Sequence, residues 1–101
     1  MYKIFFSPHA LKDKKLIERA GLKEKTKKLL DILKEYPYQN PPAYEKLIGN
    51  LSGYYSRRIN LQHRLVYQVL PNEQGSIDPT GKEYEGIVKV ICMWTHYENV
   101  K

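Results

Sequence analysis

Apolar positions along the chain change period several times, and each change marks an element. Residues 2 to 6, "YKIFF", form a short β-prone apolar run. "SPHALKDKKLIERAG" follows with a helix start, because Ser7 can cap and Pro8 suits the first helical position. Gly21 supplies a stop or hinge. In "LKEKTKKLLDILKEYP", Leu22, Thr26, Leu29, Leu30 and Leu33 make one stripe at helical spacing, with lysines opposite and Pro37 at the end. A proline-rich loop, "YPYQNPPAYEKLIGN", leads to two strands, "YYSRRI" and "HRLVYQV". The "NLQ" between them is short enough for a tight hairpin. Leu65, Tyr67 and Val69 alternate with Arg64, Val66 and Gln68, so this strand has one apolar and one mixed face. "PNEQGSIDPTGKEYEG" reads as a polar, mobile loop, and "IVKVICMW" (Ile87 to Trp94) as the last strand.

The predicted order is β-α-α-β-β-β, an α+β domain spanning residues 1–101. Its last three strands can form an antiparallel meander, with both helices on one face of the sheet. The other face is left open to a partner.

Charge adds to this picture. The formal net charge is +6 and the pI about 9.4, which favours an anionic partner such as nucleic acid or an acidic protein segment. Solvated lysines alone would give the same figures. The single cysteine, Cys92, rules out an intramolecular disulfide and fits a reducing compartment. No apolar run approaches membrane-spanning length, and the N-terminus lacks a signal-peptide pattern, so the expected location is cytoplasmic. Nine tyrosines offer packing, stacking on bases and hydrogen bonds to phosphate.

Strand parity then tests the arginines. If "NLQ" is a three-residue loop, Arg58 stands opposite Arg64, and Tyr54, Arg58, Arg64 and Val66 share the outward face. With a two-residue loop Arg57 replaces Arg58. Either way two like charges oppose each other, an arrangement that favours an anion between them. Of the histidines, His9 suits solvent and His63 a structural hydrogen bond. His96, where the last apolar run gives way to polar residues, is a candidate general acid or base, although a surface histidine would look the same. Cys92 fits a small core residue, and no Cys/His spacing resembles a metal site. Glu45, just before the arginine hairpin, reads on its own as a solvated loop glutamate.

Together these residues resemble a known family. Glu45, "NLSG" (50–53), Tyr54-Tyr55, "SRRI" (56–59), "HRLVY" (63–67) and His96-Tyr97 match the pattern of the YoeB/Txe toxins in the RelE superfamily of type II toxin–antitoxin modules. The resemblance implies a RelE-like fold and a metal-independent, cofactor-free endoribonuclease that cuts mRNA codons in the ribosomal A site. The ribose 2′-hydroxyl would attack its own 3′ phosphate and the 5′ oxygen would leave. Glu45 would take the hydroxyl proton, and His96 would protonate the leaving oxygen. Arg64, with Arg58, would stabilise the transition-state charge. Tyr97 would orient the phosphate or stack on a base, and Lys46 and Tyr54 would bind substrate. The resemblance also implies neutralisation by an acidic antitoxin whose C-terminal segment wraps the toxin, and it suggests a homodimer. One departure is Ile48, where many relatives carry a basic residue. Another is the long loop from Pro71 to Gly86.

Overall fold

Ser7 begins the first helix as expected. Its Oγ accepts from the Ala10 N–H at 3.1 Å, and Pro8 occupies the first turn. A computed structural model of the chain describes residues 1–94. Within them lie β1 (Tyr2–Phe6), α1 (Pro8–Arg19), α2 (Lys23–Glu35), β2 (Glu45–Lys46), a 3-10 turn (Gly49–Leu51), β3 (Tyr55–Arg58), β4 (Arg64–Leu70) and β5 (Gly86–Cys92). The predicted α+β order holds, with β2 as an addition. The strands form one sheet in the order β1-β5-β4-β3-β2, antiparallel except for the β1–β5 pair. Gly86 sits where β1 and β4 crowd β5. A Cβ there would stand 2.9 Å from both the Leu70 carbonyl oxygen and the Tyr2 ring, so only glycine fits without a shift.

The helices cover one sheet face. Thr26, Leu29 and Leu33 of the α2 stripe are buried, and Ile17 of α1 joins Leu65, Tyr67 and Val88 in the main core. The opposite face is less open than the sequence suggested. Leu47 and Leu51 fold over Val66, Ile91 and Cys92 to form a second, smaller cluster, with Tyr54 packed against it. Val66 is consequently buried, while the part of that face beside the β3–β4 hairpin stays accessible.

Register explains how β5 serves both clusters. Val66 pairs with Cys92 but Tyr67 pairs with Val90, which leaves Ile91 as an extra residue in a β-bulge. A bulge frees backbone groups that need partners. The Ser7 hydroxyl donates to the Ile91 carbonyl at 3.0 Å, and the buried Asp13 carboxylate accepts from the Met93 N–H at 2.9 Å. The N-cap of α1 and one of its side chains therefore fix the end of β5.

The 71–85 loop, expected to be polar and mobile, is tied down internally. The Asn72 amide donates to the Ser76 and Tyr84 carbonyls, and Asp78 accepts from Thr80 and Lys82. The Thr80 hydroxyl, ahead of the Lys82 and Thr80 amides, holds the Asp78 carboxyl below the usual range. These polar side chains bond to the loop's own backbone and to one another.

Candidate active site

The β3–β4 hairpin sets the geometry. Arg58 pairs with Arg64, and the Ile59 N–H donates to the His63 carbonyl at 2.9 Å, so the loop is the three-residue one. Asn60 holds it closed, accepting through Oδ1 from the Gln62 and His63 amides. The parity argument therefore resolves in favour of Arg58 on the accessible face.

Arg57 points the other way and is 1% exposed. Its guanidinium donates to the Pro42, Pro37 and Gln39 carbonyls at 2.6, 3.0 and 2.8 Å, and lies over the Tyr44 ring at 5.0 Å. Tyr67 adds a hydrogen bond from its hydroxyl to Pro37 O at 2.7 Å. These contacts hold the 36–44 loop against β3. That loop delivers Glu45 to β2, where it pairs with Ser56.

A shallow pocket of about 350 Å³ results, lined by Pro42, Ala43, Tyr44, Glu45, Ser56, Arg58 and Arg64. Glu45 Oε1 stands 3.9 Å from Arg64 Nη1, an ion pair too long to be a hydrogen bond. The Glu45 side chain is 64% exposed and that of Arg64 26%, so the arginine is the better fixed of the two. Glu45, Arg58 and Arg64 are thus brought together. Tyr54 lies on the same face beside the Leu47–Leu51 cluster. Lys46 pairs with Tyr55, which puts it on the opposite face of the edge strand, outside the pocket lining. Ile48 is 86% exposed.

His96 and Tyr97 lie outside the described residues. The chain reaches Trp94 beside the hairpin, where the Arg64 N–H donates to the Trp94 carbonyl at 3.3 Å and the Trp94 ring stacks on His63 at 3.9 Å. The stacked, buried His63 has a packing role. His9 is half exposed, with Nε2 3.4 Å from Asp13 Oδ2. Burial, reinforced by Asp13, pushes the Cys92 thiol up to about 12, so it remains an inert core thiol. Among the described residues no group of three or more His, Cys, Asp or Glu side chains could hold a metal ion, and no helix is long and apolar enough to cross a membrane.

Ser56 and Asp13 were missed in the sequence. Ser56 carries the parity of Arg58, two residues earlier on the same strand, which was signal enough to place it in the pocket. Asp13 shares α1's buried side with Ala10 and Ile17, but an aspartate on that stripe reads as a break in the pattern.

Fold and pocket together define a small α+β domain with an arginine-lined pocket on the sheet face opposite its helices. Residues 6–78 match the family model described as the YoeB-like toxin of the bacterial type II toxin-antitoxin system, and the chain belongs to that family. Toxin YoeB of Synechocystis sp. is 44% identical over 57 residues, covering 56% of this chain and 59% of that relative, so the match spans about three fifths of the curated protein. The YoeB/ParE toxin from Agrobacterium tumefaciens superposes with a TM-score of 0.72 at 30% identity, over 94% of this chain and 99% of that one. A Staphylococcus aureus YoeB-YefM complex gives 0.66 at 32% identity, over 96% and 99%, and YoeB of that organism is also solved as a dimer.

Proposed function

We propose that this toxin is a ribosome-dependent mRNA endonuclease that cuts codons in the A site and so inhibits translation in the cytoplasm. The observation that carries the reading is the convergence of Glu45, Arg58 and Arg64 on one accessible pocket. Opposed arginines present two forks of donors to a phosphate, and neither has an acceptor to repel it.

Glu45 takes the proton of the 2′-hydroxyl, the oxygen attacks the adjacent phosphorus, and the 5′ oxygen leaves with a proton from His96. Arg58 and Arg64 hold the charge that builds on the phosphorane, the term that usually dominates such a reaction. Tyr97 orients the phosphate, while Tyr54 and Lys46 contact RNA beyond the pocket. Acid–base chemistry of this kind needs no metal. The path of the chain supports the role of His96, since Trp94 is bonded to the Arg64 backbone and His96 follows two residues later. The partners are mRNA on the ribosome and an acidic antitoxin whose C-terminal segment covers the basic pocket. A homodimer is the proposed free form, by analogy with the Staphylococcus aureus relative.

Growth should arrest when the protein is induced, and mRNA on assembled ribosomes should be cut within translated codons. Arg64→Ala and His96→Gln should each slow cleavage by about a hundredfold or more while leaving the melting temperature near wild type. A wild-type protein that cuts no mRNA on assembled ribosomes would sink this reading and leave a non-catalytic RNA-binding module.

A further inference from the structure

Ser56 lies at the floor of the pocket, directly opposite Glu45 across β2 and β3. It precedes Arg58 by two residues, so both occupy one face, and its other cross-strand partner is Val66. Ser56 is 1% exposed, yet its Oγ has no hydrogen-bond partner among the described residues. Buried hydroxyls almost always have one.

The chemistry of the lining narrows the choice of partner. Arg58 and Arg64 carry only donors, so neither can receive the serine proton. Tyr44 is turned towards Arg57 and Tyr55. The remaining acceptor side chain is the Glu45 carboxylate, which is exposed and held only by the 3.9 Å contact with Arg64. Directly opposed Cβ atoms in a sheet lie roughly 4.5–5.5 Å apart, so a rotamer change of Glu45 brings carboxylate and hydroxyl together.

We infer that Ser56 is a positioning residue, whose hydroxyl donates to the Glu45 carboxylate when an RNA phosphate engages Arg58 and Arg64. The inference rests on the endonuclease reading, in which Glu45 is the base. A phosphate draws Arg64 away from Glu45. The serine hydrogen bond takes over, keeping the carboxylate aimed at the 2′-hydroxyl. The charged and titratable groups around Glu45 are Arg58 from β3, Arg64 from β4 and Tyr44 before it, while Lys46 faces away.

The test compares Ser56→Val with Ser56→Thr, which match in shape and differ in the hydroxyl, using steady-state cleavage of ribosome-bound mRNA across pH. Ser56→Val should lose about tenfold to a hundredfold in kcat with KM little changed. Its acid limb should move to higher pH, because a carboxylate without its donor is easier to protonate. Ser56→Thr should keep most of the rate and the wild-type limb, and thermal melting should show both variants folded. Wild-type kcat and pH profile in Ser56→Val would overturn the inference, as would an equal loss in Ser56→Thr. Glu45→Gln separates the two levels. If it cuts like wild type, the base assignment itself is wrong and this inference goes with it. If Glu45→Gln is inactive and Ser56→Val is not, only the role of Ser56 falls.

Discussion

Arg57 and Arg58 are neighbours in sequence with opposite tasks. Strand parity sends one into the protein and the other to the pocket, and this much was legible because a hairpin is a local structure whose register follows from its loop. The partners of Arg57 were not legible. They are the backbone carbonyls of Pro37, Gln39 and Pro42, and no side-chain pattern marks a carbonyl as an acceptor. Parity places Ser56 beside Arg58, but its burial was hidden for a related reason, since a small polar residue in a strand looks solvated until its neighbours are known. The buried guanidinium makes a prediction. Arg57→Met fills much of the volume but leaves the Gln39 and Pro42 carbonyls without a donor, while Pro37 keeps the Tyr67 hydroxyl. A lost bond costs about 1–3 kcal/mol where water cannot reach the acceptor, and both of these are only partly buried, so the net loss should be on the order of 2 kcal/mol. Arg57→Lys should recover part of it, because an ammonium lacks the planar fork and the stacking over Tyr44. Urea denaturation of the two variants and wild type measures both steps. A midpoint unchanged in Arg57→Met would show that the loop does not depend on this residue.

At the level of elements, the main strands and both helices follow from apolar periodicity, and their order was readable. The second strand was not. Its two residues, Glu45 and Lys46, are exposed and show no alternation, so only pairing with β3 makes them a strand. The parallel β1–β5 pair and the bulge at Ile91 depend equally on contacts between chain ends, which local pattern does not encode. What places Glu45 is the 36–44 loop, held by Tyr38 and Tyr44, which each pack edge-to-face on Tyr55, with Tyr55 stacked on Tyr67. Burial, followed by neighbouring Tyr55, raises Tyr38 from 10.0 to about 12. Burial also raises Tyr67, although Arg57 opposes the shift. A phenol whose folded pKa is raised stays protonated in the native state after the unfolded chain has begun to ionise. Its contribution to stability is therefore complete below pH 10 and is lost as pH climbs towards 12. The unfolding free energy of the wild type should fall through that window, and Tyr38→Phe should fall less steeply. Denaturant titrations at a series of alkaline pH values decide it. Parallel curves for the two proteins would remove Tyr38 from the account.

For the molecule as a whole, the question is which part of its positive charge meets RNA. Most of the lysines lie on the two helices, and those helices pack on the sheet face opposite the arginine pocket. The shortest dimension of the molecule is 28 Å, whereas the Debye length at physiological salt is about 8 Å. Lysines on the outer side of α2 are therefore screened from a strand bound at Arg58 and Arg64. Their contribution is to solubility and to the long-range approach to an anionic surface, which is a matter of rate. Binding to single-stranded RNA should weaken linearly in log salt, with a slope of roughly −0.7 per phosphate neutralised. Arg58→Ala should therefore make the slope shallower by about 0.7. Lys25→Ala, on the exposed side of α2, should leave it unchanged. Fluorescence anisotropy of a labelled oligonucleotide across a salt series, with wild type and both variants, measures the three slopes. If Lys25→Ala flattened the slope as much as Arg58→Ala, the helices would be part of the RNA surface, and the pocket would no longer be the place where the chain meets its anion.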